Sequence, residues 1–397
     1  MGSIQTRPAP LLISSAASIV LHGGFIVTGI VTTLIGPILP ILISRWSLTD
    51  RRAGLFFTAQ FCGSMVGVAS LGKLIKLGYR HTFVCGFSLI AAGVAGLNLS
   101  NNVAALAATA VFGCGLGQTL SAANLWVAEV ARLRRVAALS ILNVMWGIGA
   151  IVCSPLVMLA QRQGATSWLL CAIATCSALT AAILYSSNLE PESALEDGLS
   201  PADRPNIGEK RIVSLAALFF LYVGSENSVA GWVGALTKRI NHGSGDSWAL
   251  APMFFWGGML AGRALVPLLP LRRGERGMVA RGLVLAAASI CVLAQTRTFA
   301  GVAIAATTTG IGFAPIFPIL IAWLVKAFGE RSRQIGTIMF TLAGMGGATM
   351  PWLVGLVSTG TGSLRAGLLV ALAACVSMFL LLTTMTEPVF RGTKIQE

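Results

Sequence analysis

Along the chain, apolar runs alternate with short polar breaks almost from end to end. A helix crossing a hydrocarbon core of about 30 Å needs roughly 20 apolar residues, and runs of that kind recur throughout. The pattern predicts twelve membrane-spanning helices, near residues 12–44, 53–75, 80–99, 102–130, 136–160, 165–187, 213–238, 248–270, 278–296, 299–327, 335–358 and 364–386. One connection is long and polar, SSNLEPESALEDGLSPADRPNIGEKR at 186–211, and it divides the spans six and six. The expected organisation is an N-terminal six-helix half over 1–187, a cytoplasmic linker over 188–211 and a C-terminal six-helix half over 212–397.

Composition agrees with that reading. Of 397 residues, 55% are hydrophobic and 11% charged, where soluble domains carry about 25% charged residues. An all-α membrane protein is expected, integral and multi-pass, in the plasma membrane or, in a bacterium, the inner membrane. The net charge of +14 changes little, because the basic residues fall in short clusters between apolar runs rather than on one amphipathic face, which excludes nucleic acid as a partner. Clusters such as Lys73, Lys76 and Arg80, or Arg132, Arg134 and Arg135, recur at alternate connections. The positive-inside bias then places both termini in the cytoplasm.

The eight cysteines all lie inside apolar runs, without a CxxC pair or a His at ligand spacing, so neither a disulfide framework nor a metal site is expected. The first run is too long for a signal-peptide core, which predicts a retained N-terminus. No HExxH, phosphate-binding loop, Ser/His/Asp arrangement or sizeable soluble domain is present, so neither an enzyme nor a cofactor is expected.

The halves echo each other. Gly63-x3-Gly67 in the second span recurs as Gly258-x3-Gly262 in the eighth, and Gly115-Leu-Gly117 in the fourth recurs at the same offset as Gly310-Ile-Gly312 in the tenth. Gly147-Ile-Gly149 with Pro155 recurs as Gly344-Met-Gly346 with Pro351. Small residues at such spacing let helices approach closely in lipid; two parallel six-span repeats around a midplane site are the architecture of a secondary transporter.

With these features the chain resembles the major facilitator superfamily over nearly its whole length. The loop GKLIKLGYR at 72–80 is similar to the superfamily signature after the second helix, with Lys76 replacing the usual acid and one residue missing. That variant, with SAANLWV at 121–127, GIGFAPIFPIL at 310–320 and the Tyr222-Val-Gly-Ser-Glu226 segment ending at Gly231-Trp232, resembles the fucose permease-like branch of sugar–proton symporters. The resemblance implies a gating role for Lys73, Lys76 and Arg80. It also implies acids in the first and fourth helices, but here the first has none and Leu120 stands at the fourth-helix position.

The candidate chemistry centres on Glu226, the one acid near the middle of a span; Asp50 and Glu129 sit at helix ends. An ionisable group at bilayer centre costs about 2.5–3.5 kcal/mol even on lenient scales, so it calls for a function or a partner. Tyr222 lies one helical turn earlier on the same face, with Ser225 and Asn227 flanking. Such a set suits a polyol in a dry site; alternatively, Glu226 is neutral or pairs with Arg263 and only joins helices. Gln118, Ser121 and Asn124 fan over about 120° of the fourth span at 100° per residue, and Asn143 and Trp146 are neighbours on the fifth. The amides could grip hydroxyls while Trp146 and Trp256 stack on sugar faces, or they could bond neighbouring helices. Trp168 and Trp248, at span ends, read as interfacial anchors. His22 in the first span is either a proton relay or an interhelical hydrogen-bonding group. Phe313, Pro315 and Pro318 predict a break in the tenth helix.

The expected function is secondary transport of a small polar solute, a monosaccharide or polyol, by alternating access with proton coupling through Glu226 and His22. The alternatives are an exporter of amphiphilic compounds and an uncoupled facilitator. The expected partners are the small-molecule substrate, protons and membrane lipids, with the protein a monomer.

Overall fold

The computed structural model describes residues 16–131, 135–187, 189, 209–240, 245–265, 274–329 and 332–385. The first half contains α1 (Ala16–Thr33), α2 (Ile35–Trp46), α3 (Asp50–Ile75), α4 (Tyr79–Gly96), α5 (Asn102–Val130), α6 (Arg135–Arg162) and α7 (Thr166–Tyr185). The second contains α8 (Glu209–Ile240), a 3-10 turn at Ser247–Leu250, α9 (Ala251–Leu265), α10 (Gly274–Gln295), α11 (Phe299–Phe313), α12 (Ile316–Phe328), α13 (Ser332–Thr361) and α14 (Leu364–Thr384). Two expected spans are each split in two, so fourteen helices make twelve spans in two six-span halves. Most of the expected linker, 188 and 190–208, lies outside the described residues.

Nine of the described spans are long and apolar enough to cross a membrane by length and composition, and the α1/α2 pair makes a tenth. The other two are α4, which opens on Tyr79, Arg80 and His81, and α9, whose expected continuation over 266–270 lies outside the described residues.

The first break was not expected. The helix bends by 43° at Leu34, three residues before Pro37, whose ring lacks an N–H and crowds the carbonyl one turn earlier. The Leu34 amide tightens onto the Val31 carbonyl at 3.3 Å, and Gln60 of α3 donates its side-chain amide to the Thr32 carbonyl at 2.8 Å. The expected break in the tenth span falls at Ala314 and Pro315, between α11 and α12.

Most of the repeat glycines carry matching contacts in both halves, but the fourth and tenth spans are shifted by two residues from the expected pairing. Gly310 meets the Phe255 carbonyl and Gly312 the Gly282 carbonyl as Gly113 meets that of Gln60 and Gly115 that of Gly86, so Gly310-Ile-Gly312 does not match Gly115-Leu-Gly117. A side-chain carbon at Gly63 or Gly67 would collide with the carbonyls of Ala110 or Cys114 on α5, and one at Gly258 with the Thr307 carbonyl on α11. Gly149 sits against the Ile26 carbonyl of α1 as Gly346 sits against the Phe220 carbonyl of α8. The pseudo-symmetry therefore holds at the level of backbone contacts.

The halves meet through α3 with α13, α2 with α8, and α6 with α9. These contacts concentrate toward the end opposite the linker, the distal end. There Asp50 of α3 takes both terminal nitrogens of Arg239 on α8, at 2.5 and 2.9 Å, and accepts from the Ser358 hydroxyl of α13. The Arg51 amide donates to Thr359 at 2.9 Å, and Lys238 of α8 donates to Ser44 at 2.9 Å and to the Pro40 carbonyl at 3.3 Å on α2. Arg239 is 43% exposed, so its ion pair contributes at most about 1 kcal/mol; the latch holds by several such bonds acting together.

At the linker end the bonds run within each half. Tyr79 donates to Glu129 at 2.7 Å and Arg80 lies over the Tyr185 ring, while Glu275 accepts from Lys326 and Trp323. Side chains such as Asn124, Asn143, Ile338 and Thr341, which fall in the linker-end portions of α5, α6 and α13, are exposed. Among the described residues, the ion pair and the Lys238 and Arg51 hydrogen bonds that join the halves thus lie at the distal end.

The glycine contacts give a paired prediction. Gly63→Val and Gly258→Val should each lower thermal stability in detergent by about 1–3 kcal/mol through overpacking, whereas Gly23→Ala, with open space around it, should be neutral or slightly stabilising. Tolerance of either valine would contradict the backbone-on-backbone packing.

Candidate functional site

Tyr222 and Glu226 are four residues apart on α8 and share a face. The structure turns that face into the second half, toward α9 and the break between α11 and α12. Tyr222 is fully buried; its ring stacks on Phe317 at 5.7 Å and meets Phe313 edge-on at 5.8 Å. Phe313 ends α11 and Phe317 begins α12. Pro315 and Pro318 interrupt the helix there, and the Ala314 amide turns back to the carbonyls of Gly310 and Ile311. Phe219 and Phe340 extend the same aromatic wall, each packing on Phe317.

Arg263 of α9 completes the polar centre of this wall. Tyr222, Glu226 and Arg263 lie within electrostatic reach of one another, yet neither an ion pair nor a hydrogen bond of ordinary geometry joins them. The Tyr222 hydroxyl and Arg263 Nε are buried without a hydrogen-bond partner. In a low-dielectric setting an ionised Glu226 and the Arg263 guanidinium would each offset the cost of burying the other. Two buried donors remain available to an acceptor.

The indoles connect the halves beside this cluster. Trp146 of α6 and Trp256 of α9 meet edge-on at 5.4 Å, and Trp256 meets Phe255 at 5.2 Å. Trp146 Nε1 reaches the Thr32 hydroxyl at 3.4 Å, beside the bend in the first span. Gly147, next along α6, faces Leu260 of α9.

The three asparagines behave alike. Asn124, Asn143 and Asn227 each donate their side-chain amide to the carbonyl four residues back on their own helix, at 2.8 Å. Asn124 and Asn143 are exposed and Asn227 is half-buried. Asn227 lies three to four residues before Ala230 and Gly231, which abut Gly36 and Phe57 of the first half, so it faces the seam just below the closure. None of the three bonds a neighbouring helix.

Gln118 is placed elsewhere. It is buried and donates to Ser70 of α3 at 3.0 Å, a bond inside the first half rather than one facing the seam. Trp126 likewise is buried and donates to the Leu189 carbonyl at 2.8 Å. Trp168 is 79% exposed, as an interfacial anchor should be, but Trp248 is buried under Lys238; the 3-10 turn folds it inward, correcting its reading as an anchor. His22 is half-buried in the linker-end part of α1; Lys73 in the last turn of α3 and Lys76 on the α3–α4 connection are exposed, and Arg80 lies in the first turn of α4.

Sequence reasoning missed Asp50 as the hub of the distal latch, because its partners Arg239 and Ser358 come from the other half. It also missed Phe317, Phe219 and Phe340, which share no spacing. The nearest signal was the proline pair that marks the break.

The sequence profile of the Major Facilitator Superfamily matches residues 21–351. No curated protein matches the sequence. Among solved structures, a D-xylose-proton symporter is similar at a TM-score of 0.80, 14% identical, covering 97% of this chain and 100% of that one. The nucleoside transporter NupG is similar at 0.72 and 12%, covering 94% and 100%. The transporter FucP in its outward conformation is similar at 0.60 and 18%, covering 93% and 98%. At these identities the likeness is one of fold.

A double-mutant cycle tests the buried charges. Glu226→Gln or Arg263→Gln alone leaves one charge uncompensated and should cost about 2 kcal/mol of thermal stability, below the usual figure for a directly bonded buried pair. The double variant should recover most of that loss. Additive losses would show that the two groups do not sense each other.

Proposed function

The chain belongs to the Major Facilitator Superfamily of membrane transporters, and from that premise we propose that it is a secondary active transporter of a small, uncharged polar solute, a monosaccharide or polyol. The observation that carries this reading is the buried cluster of Tyr222, Glu226 and Arg263 set in an aromatic wall. A Glu226 carboxylate compensating the Arg263 guanidinium would favour a guest without net charge. The unpartnered donors on Tyr222 and Arg263 suit hydroxyl oxygens, and the edge of the Trp146–Trp256 pair suits a sugar face. Asn227, Asn143 and Asn124 would offer their side-chain oxygens along the entry from the linker end. Gln118 would support this set from behind α5 rather than touch the solute.

In this reading the linker end is cytoplasmic, as the basic clusters favour, and the described conformation faces inward. Solute and proton would leave through the open end, the halves would then rock about the midplane site, and Lys73, Lys76 and Arg80 would meet the second half as the cytoplasmic end closes. Glu226 would carry the coupling proton, with His22 relaying it from the cytoplasmic side. Kinship with the fucose permease-like branch rests on the segments at 72–80, 121–127 and 310–320.

A second reading, export of amphiphilic compounds, is favoured by one observation, the run of aromatic contacts among Phe219, Phe317 and Phe340.

Labelled solutes in proteoliposomes decide between them. Under an imposed pH gradient the wild-type protein should accumulate a sugar or polyol. Glu226→Gln should lose accumulation by at least about 100-fold, a neutral group being unable to carry the proton, while retaining solute counterflow. Unchanged accumulation would remove Glu226 from coupling, and transport of amphiphiles but no sugar would favour the second reading.

A further inference from the structure

Away from the midplane site, a cavity of about 420 Å³ opens at the distal end between α2, the end of α4, the α6–α7 connection and Lys238 of α8. Its inner wall is aliphatic, with Ile38, Ile41 and Leu42 of α2 facing Leu97 and Leu170. Its rim is polar and basic, with Arg45, Lys238, Gln161 and Ser167. Among the described residues, no acid lines it.

Both cations are held in place without an acidic partner. Arg45 donates to the carbonyls of Leu97 at 3.4 Å and Asn98 at 3.0 Å, past the end of α4, and lies over the Trp46 ring. Lys238 donates to the Pro40 carbonyl and Ser44 hydroxyl and lies over Trp248. Asp246 is within electrostatic reach of Lys238 but forms no ion pair with it. Asn98, at the same rim, keeps its side-chain oxygen buried.

The depth of the cavity is marked by Trp168, 79% exposed two residues after Thr166 on its wall. Exposed indoles settle at the membrane–water boundary. An aliphatic wall, with two cations that form no ion pair on its rim beside an indole suited to the membrane boundary, matches one kind of occupant.

We propose that this cavity binds an anionic glycerophospholipid, its phosphate between Arg45 and Lys238 and the first part of an acyl chain against Ile38, Ile41 and Leu170. Lys238 belongs to the second half and the rest of the cavity to the first, so a lipid bound there bridges α8 to α2 across the seam. It thereby favours the distal-closed conformation, adding to the Asp50–Arg239 latch. A bridging phosphate takes charge-assisted hydrogen bonds from both cations.

The test uses the full-length protein in an uncharged detergent, with short-chain phosphatidylglycerol as the probe and thermal stability as the readout. Phosphatidylglycerol should raise the melting temperature saturably, whereas phosphatidylcholine of the same chain length and inorganic phosphate should not. Lys238→Gln should weaken the apparent affinity about tenfold, the loss of one charge-assisted contact. Ile41→Trp fills the cavity without touching the charges and should abolish the shift. Arg297→Gln, an exposed charge at the same end, should leave it intact. Equal shifts with phosphatidylcholine, an equal shift with inorganic phosphate, or a phosphatidylglycerol shift that survives both Lys238→Gln and Ile41→Trp would each overturn the proposal.

Discussion

In lipid a helix gains almost nothing by burying a leucine against a neighbour instead of an acyl chain, so association depends on how closely backbones can approach. That constraint shapes this protein more than any other. Gly63 and Gly67 bring α3 onto α5, Gly258 brings α9 onto α11, and Gly149 and Gly346 seat α6 on α1 and α13 on α8. The same contacts appear in each half because the same spacing recurs in each. Two closely packed halves result, and the polar groups described here lie either inside one of them or along the seam between them.

The position of each polar group then decides what it can do. Glu226 and Arg263 sit inside the second half, where each charge would make the other tolerable, while Asn227 lies one residue from Glu226 on the seam side of the helix. Trp146 and Trp256 touch across the seam at mid-depth. A solute entering from the linker end would therefore meet the asparagines first, the indoles next and the charged cluster last. The break at Pro315 matters here, since it brings Phe313 and Phe317, from two different helices, onto the one ring of Tyr222.

Much of this was legible in the sequence, for identifiable reasons. Span positions follow from hydropathy, and the helix at 102–130 was placed to the residue. The glycine repeat was visible as spacing, although Gly310 and Gly312 proved to match Gly113 and Gly115 rather than Gly115 and Gly117, and Pro315 announced its break. Pro37 and Pro40 carried an equal signal in the first span and were passed over because the apolar run continues through them. Gln118 was misplaced because helical periodicity gives the relative directions of side chains on one helix but not which neighbour they face; Ser70 of α3 proved to be that neighbour. The aromatic wall and the Asp50 latch depend on residues far apart in sequence, and such pairings leave no periodic trace.

The central claim is that the two halves rock against each other along the seam beside the Tyr222–Glu226–Arg263 cluster, closing one end as the other opens. Distances between spin labels, measured with and without a saturating transported solute, test it most directly. One label pair would bridge the halves at the distal end, at Ser47 and Gly360, and another at the linker end, at Leu77 and Val325. The account predicts reciprocal change, the distal distance lengthening in part of the population as the linker-end distance shortens in the same part. Distances that stay fixed, or that lengthen or shorten together, would contradict it.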